Sequence, residues 1–280
     1  MISNNDQRVL VDNAGTFTDL TKEVSSYTAG LASVTLGVGD FLYFGSFLPF
    51  NQKYLELSPG STASASLTIE LWDGANWKVC ADVLDYTELL GKPLGKSGTL
   101  QFNKVDEDNW GLEARSTDVQ ALAGAPEIYG KYWLRLSLSS AASLGLKYVG
   151  SMFAGHDDFV GEYPFLRNAN LINAWKDGKT DWKAELVKAS EYVIADLKKR
   201  NIIIERSQVI EQSVLLEPTI HRAAVVIFSG LGVKNYEAEI KMAADGYKRS
   251  MDLIKFEQDV NGNGQKERFE QVVTTARATR

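Results

Sequence analysis

Cysteine and histidine are nearly absent from this sequence. Among 280 residues there is one cysteine, Cys80, and two histidines, His156 and His221. A single cysteine excludes an internal disulfide framework and any cysteine-based zinc site. Two histidines, far apart in the chain, leave little for a histidine metal centre or a catalytic triad. No run of 18 apolar residues occurs, so no transmembrane helix is expected. The opening stretch MISNNDQRVLVDN has no basic region followed by an apolar one, so no signal peptide is expected. Conventional enzyme chemistry is short of raw material, and the expectation is a protein without catalytic activity.

What is present is ordinary globular composition. Hydrophobic residues make up 44% and charged residues 24%, which excludes collagen-like, coiled-coil and disordered classes for the chain as a whole. The length accommodates two domains of ordinary size. Charge is divided unevenly between them. Residues 1–164 carry 11 basic and 20 acidic side chains, and residues 165–280 carry 19 and 16. The first part is therefore net −9 and the second net +3. An acidic first half repels nucleic acid and anionic membranes. The second half is too weakly basic to define a nucleic-acid-binding domain by charge alone.

The first half reads as strands. Short apolar runs separated by turn residues recur every ten or so positions, the all-β spacing. They are Phe41–Phe47, Tyr54–Leu57, Leu67–Trp72, Trp77–Val83, Thr99–Phe102 and Tyr132–Leu138. Leu67, Ile69 and Leu71 alternate with Thr68, Glu70 and Trp72, which marks a half-buried strand with Trp72 on its outer face. Asp73-Gly74-Ala75-Asn76 supplies a tight turn, because Gly and Asn tolerate positive φ. A second alternation sets Trp133, Arg135, Ser137 and Ser139 against Tyr132, Leu134, Leu136 and Leu138.

The second half reads as helices. Trp182, Leu186, Ala189, Val193 and Leu197 fall on one helical face, with Thr180 as N-cap and Asn201 as terminator. Ser207 opens a short helix through Leu215. Glu217-Pro218 opens another, with Ile220, Ala224, Ile227 and Leu231 on one face and Gly230 and Gly232 at its end. Asn235 caps the longest run, whose face is Tyr236, Ile240, Ala243, Tyr247, Met251 and Ile254. The expected fold is α+β in two domains. An antiparallel β-sandwich over residues 1–152 is followed by an antiparallel helical bundle over residues 170–280. Residues 153–169, with His156, Asp157, Asp158, Gly161 and Pro164 and no periodicity, are expected to be a linker.

The sharpest local motif is Asp259-Val-Asn261-Gly-Asn263-Gly-Gln265-Lys-Glu267-Arg-Phe-Glu270, which satisfies the calcium-loop pattern D-x-[DN]-x-[DN]-G-x5-E. Oxygens at Asp259, Asn261 and Asn263 converge on the ion, and the glycine that follows permits the sharp turn. Gln265 offers its carbonyl, Glu267 acts through water, and Glu270 chelates with both oxygens. The competing reading is an Asx-rich turn without metal. Ca2+ is the one cofactor this sequence points to, and none is required. Other constellations read more simply. His156-Asp157-Asp158 is a polar loop, His221 a packed side chain within reach of Glu217 four residues earlier, and Cys80 a small buried hydrophobe. Gly37-Val-Gly39 and Gly230-Leu-Gly232 lack the third glycine of a dinucleotide site and read as turns. Trp72, Trp77, Trp110 and Trp133 admit a different function, stacking on sugar rings, against a bland reading of cross-strand pairing that stiffens the sheet.

Several of these residues fit a family pattern. The hairpin Trp72, Gly74 and Trp77, the pair Asp85 and Thr87, Ser97-Gly98, and Tyr132, Trp133 and Arg135 together resemble a β-sandwich module of tailed-bacteriophage structural proteins. Pro49-Phe50 and Tyr54 fit the same pattern, which covers roughly residues 35–152. The second half is similar to phage head–tail adaptor (connector) proteins. It shares a helix ending Asp196-Leu197-Lys198-Lys199-Arg200, then Glu217-Pro218 and His221-Arg222-Ala223, then Tyr236-Glu237 opening a long helix. The simplest adaptors are helical only, so the β half is a departure. The resemblance implies a virion protein of the neck, assembled in the host cytoplasm. It would form a dodecameric ring between portal and tail or tail-terminator protein, with passing DNA held without sequence specificity and no membrane partner. The C-terminal arm, with Val272, Val273, Arg277 and Arg280, favours an extended strand that adds to a partner's sheet edge, and the resemblance directs it to the portal. The alternatives are a frayed terminus for the arm and, for the protein, a tail or decoration component whose sandwich binds host carbohydrate.

Overall fold

The computed structural model describes residues 7–27, 30–47, 50–103, 110–112, 130–176, 178–203, 209, 212–257 and 272–274. The fold is α+β. Described residues up to Gly150 form one compact unit, and those from Ser151 onward form a second.

Unit 1 is built from β1 (Gln7–Asn13), β2 (Thr16–Asp19), a short α1 (Thr21–Val24), β3 (Ala32–Leu36), β4 (Phe41–Ser46) and β5 (Gln52–Leu57). It continues with β6 (Leu67–Trp72), β7 (Trp77–Val79), β8 (Ala81–Asp85), β9 (Gly98–Asn103), β10 (Tyr132–Leu138) and β11 (Ala142–Gly150). Among the described residues these strands form two antiparallel sheets, ordered β2-β1-β4-β10-β6-β7 and β3-β11-β5-β9-β8. Side-chain alternation gives each sheet one apolar face. Val9, Leu42, Phe44, Ile69, Leu71, Leu134 and Leu136 from the first sheet, and Val34, Leu36, Leu55, Leu100, Phe102 and Leu146 from the second, belong to one continuous buried cluster. Each such leucine or phenylalanine withdrawn from water contributes about 1.5–3 kcal/mol before chain entropy is subtracted.

The turns follow local chemistry. In the β6–β7 turn, Gly74 has φ +99 and the Asp73 carboxylate accepts from the backbone N–H of Ala75 and Asn76 at 2.7 and 2.6 Å. Burial opposes ionisation of Asp73, but these N–H bonds and the nearby Lys78 outweigh it and hold its carboxyl below the usual range. Between β8 and β9, Leu89 and Lys92 exchange two backbone hydrogen bonds of 3.0 and 3.1 Å around Leu90 and Gly91. Both central residues have positive φ, +55 and +75, the mark of a two-residue type I′ turn.

Unit 2 holds α2 (His156–Glu162), a 3-10 turn (Pro164–Arg167), α3 (Ala169–Trp175) and α4 (Lys183–Lys199). A 3-10 turn (Gln212–Leu215) leads into α5 (Leu216–Gly232), another (Val233–Asn235) into α6 (Glu237–Leu253), and β12 (Lys255–Glu257) pairs with β13 (Val272–Thr274). The helical face expected from spacing is the buried one: Trp182, Leu186, Ala189, Val193 and Leu197 are all fully buried. α4 ends at Asn201, whose φ of +54 lets Ile202 donate to the Leu197 carbonyl and Asn201 to that of Lys198. That is a Schellman cap, and Asn tolerates the left-handed residue it requires. α5 packs against both α4 and α6. Its Ala223 and Ala224 are fully buried and keep the helices close. Gly246 on α6 does the same for a ring: a Cβ there would meet His221 at 2.9 Å.

Two expectations need correction. Residues 153–169 do not form a loose linker. They make α2, a 3-10 turn and the start of α3, because Phe153, Phe159, Val160, Tyr163 and Leu166 are buried in the cores of unit 2. The helical run Ser213–Asn235 also meets the length and composition of a membrane span, although no unbroken apolar run exists. Within it, Ile220, Ala223, Ala224, Ile227 and Phe228 are core residues of the unit, while Leu216 and Val233 are exposed.

Candidate functional site

The outer face of the six-stranded sheet carries a second buried cluster. Leu10, Tyr43, Trp72 and Trp133 form it, with Phe17, Phe41 and Trp77 packed against it. Alternation and register explain the grouping. Leu10 faces Tyr43 and Tyr43 faces Arg135, while Arg135 faces Glu70 and Trp72 faces Trp77. The Arg135 Nε donates to Glu70 Oε2 at 2.7 Å, and its guanidinium lies 4.1 Å from the Phe41 ring centroid and 4.5 Å from that of Trp77. The planar cation is thus paired on its edge and stacked on its faces. Gly45 permits this packing: a Cβ there would lie 2.7 Å from two carbons of the Trp133 ring. Burial pushes the Tyr43 hydroxyl up to about 12, with Arg135 acting against the shift.

This cluster corrects the expectation that Trp72 is exposed. It is 4% exposed, Trp133 is fully buried, and Trp110 packs in the main core against Phe50 at 5.0 Å. Trp72 and Trp77 are cross-strand partners with ring centroids 5.5 Å apart. Trp77 is half-buried, and cross-strand aromatic pairs of this kind stiffen a sheet.

The other residues that resemble the phage module also do structural work. The Asp85 carboxylate accepts from the backbone N–H and hydroxyl of Thr87, and the Thr87 oxygen accepts from Leu94 N–H at 3.0 Å. Ser97 Oγ accepts from Leu57 N–H at 3.0 Å. Gly98 has backbone of Tyr86 where a Cβ would stand. The remaining candidates are dispersed. His156 accepts from the Trp182 N–H at 3.3 Å and so caps the start of α4. His221 Nδ1 is 2.8 Å from the Tyr163 hydroxyl, and its Nε2 lies 3.7 Å from Glu217, the pairing expected from spacing. Burial raises the Cys80 thiol to about 12, helped by Glu70, so it stays a neutral thiol at physiological pH. Asp40 closes the Gly37–Gly39 turn by accepting from Gly37 N–H at 2.7 Å.

A polar seam runs along the helices of unit 2. The Tyr247 hydroxyl on α6 donates to Asp196 on α4 at 2.6 Å, and Arg200 donates to Asp252 at 3.1 Å. Burial first, and then the Asp196 carboxylate, drive the Tyr247 pKa far above the ordinary value. Arg222 on α5 stacks between two rings, with its guanidinium carbon 4.8 Å from the Tyr192 centroid and 5.3 Å from that of Tyr247.

The calcium-loop residues Asp259, Asn261, Asn263, Gln265, Glu267 and Glu270 lie outside the described residues, as do Arg277 and Arg280. Val272 and Val273 are described, and they do form a strand. Val272 faces Glu257 and Val273 faces Phe256 in the β12–β13 pairing, so one backbone edge of the arm is taken within the chain. Among the described residues, no group of three His, Cys, Asp or Glu side chains is placed to hold a metal. Sequence reasoning missed Glu70 as the partner of Arg135, and the Tyr192–Arg222–Tyr247 stack. Alternation already set Glu70 and Arg135 on outer faces, but not on neighbouring strands. No family model, curated protein or solved structure matches this chain.

Proposed function

We propose that this is a virion structural protein of a tailed bacteriophage, a neck component that couples portal to tail and surrounds the passing genome. In this reading unit 1 is a β-sandwich and unit 2 an antiparallel helical bundle whose copies pack side by side in a ring. The observation that carries it is how the buried polar and aromatic groups are used. Arg135–Glu70, Tyr247–Asp196 and Tyr163–His221 each join separate strands, helices or turns, and each stiffens a unit. A part that transmits force between two assemblies needs such internal bracing. The helical unit adds support. Three helices of equal length pack together, α4 and α6 each against α5, and the chain then leaves as a paired strand that carries the C-terminal arm.

Deleting residues 272–280 tests the reading. The truncated protein, with its folding checked by circular dichroism, is expected to fail to join heads to tails in a complementation assay. Full complementation by the truncated, folded protein would remove the arm as the docking element.

A further inference from the structure

The hairpin between β8 and β9 breaks two local rules at once. Leu90 holds the first central position of its type I′ turn with φ +55, a conformation that suits Asn, Asp or Gly and strains a leucine. It is also 91% exposed, so its apolar side chain gains almost nothing from the fold. Residues that break local rules without a structural return mark functional positions. The leucine has apolar company: Leu84, Tyr86 and Leu89 are each about half exposed. Leu84 pairs with Gln101 while its neighbour Asp85 pairs with the core residue Leu100, so Leu84 lies on the outer face of the sheet. Tyr86, two residues on, shares that face. β8 is an edge strand, so these side chains make an apolar shelf that starts at a sheet edge and runs out to the hairpin tip.

Backbone and charge choose the occupant. The register of β8 shifts between Ala81 and Leu84, and the exposed Asp82 inside that shift has φ +49. A bulge and an edge carboxylate both blunt a strand against backbone pairing with another chain. What is left to recognise is side chains, which is how an amphipathic helix docks. Residues 1–150 carry 11 basic and 17 acidic side chains, net −6, and residues 82–88 hold Asp82, Asp85 and Glu88 with no basic residue. Lys92 and Lys96 come only after the turn. A second copy of the chain would set like charge against like. We propose that this shelf docks the apolar face of a basic amphipathic helix supplied by another protein. Leu90 and Tyr86 are its anchors, and the exposed Glu88 steers the basic rim of the helix. The strained leucine is then kept for what it binds. The proposal does not depend on the neck reading.

The test uses the full chain. It is titrated with a synthetic Leu/Lys peptide of about 18 residues, its leucines at helical spacing, and binding is followed by calorimetry and backbone NMR shifts. One control peptide replaces every Lys by Glu, and another alternates Val and Lys at strand spacing. The Leu/Lys helix is expected to bind, with shifts centred on residues 84–92, and the Leu/Glu helix is not. Leu90→Asn and Tyr86→Ser are each expected to weaken binding about tenfold, the loss of one buried apolar anchor. Glu88→Lys is expected to weaken it about threefold at low salt and to have no effect at high salt. The melting temperature of each variant separates lost binding from lost folding, and the Leu90→Asn protein is expected to melt at or above the parent temperature. Binding that survives both Leu90→Asn and Tyr86→Ser unchanged would be general charge attraction and would overturn the proposal. So would an absence of binding, a preference for the strand peptide, or a concentration-dependent dimer in sedimentation that Leu90→Asn abolishes.

Discussion

Replacing Gly45 by alanine separates two opposing effects in the outer-face cluster. Gly45 lies outside the left-handed region, so alanine suits its backbone. In open space such a change stabilises by about 0.4–1 kcal/mol, because the unfolded chain loses freedom. Here the added methyl would stand 2.7 Å from two carbons of the Trp133 indole. That ring is fully buried and clustered with Trp72, Tyr43 and Leu10, so it has little room to slide. Overpacking of this kind costs about 1–3 kcal/mol. The net expectation is a loss of about 1–2 kcal/mol, or a fall of roughly 2–8 °C in the melting of unit 1. Scanning calorimetry of the full chain reads it, with urea unfolding followed by tryptophan fluorescence as a second probe. In a Trp133→Leu background the same alanine should cost much less, a coupling of about 1 kcal/mol or more. A Gly45→Ala protein that melts at or above the parent temperature would refute the packing argument. So would an equal loss in both backgrounds.

Three further outcomes are expected. Glu70→Gln leaves Arg135 stacked but without its countercharge, in a pair whose side chains are only 15% and 18% exposed; the urea midpoint should fall by the equivalent of about 1–3 kcal/mol, and an unchanged midpoint would contradict it. Leu90→Asn should stabilise by roughly 0.5–1 kcal/mol, because Leu90 has φ +55 and is 91% exposed, so little burial is lost; a lower melting temperature would show that the exposed leucine makes contacts within the chain. Tyr43 and Tyr163 are held at about 12 by burial, against 10 when free. Their raised values favour the folded state fully below pH 10, and that contribution is lost as pH rises from about 10 to 12. Stability that stays flat across this window would contradict the burial of both hydroxyls.

The sequence announced those elements whose pattern is local. β6 and β10 were legible because alternation alone sets their faces, and α4 because five core residues repeat at helical spacing and Asn201 marks its end. β11 was not, since Gly145 interrupts its pattern where the backbone of Ser58 approaches closely. β1, β2 and β3 were missed for want of a strong apolar run. The expected linker hid three short helical segments because each is too short to show a period, and tertiary burial of Phe159, Tyr163 and Leu166 decides them. The site residues fared similarly. His221 and Glu217 lie one turn apart, so their pairing followed from spacing. The Arg135–Glu70 pair spans 65 residues and the Arg222 stack joins three helices. Both depend on strand order and helix contacts, which a single sequence does not encode locally. Trp72 was placed on the correct face, but the neighbours that bury it come from other strands.

Electron microscopy of virions carrying a tagged copy of this chain tests the assembly reading most directly. A closed ring of copies between portal and tail, with the helical units around the central channel, is the expected result. Virions in which the tag lies only at the tail tip or on the capsid surface, with no copies at the neck, would contradict it.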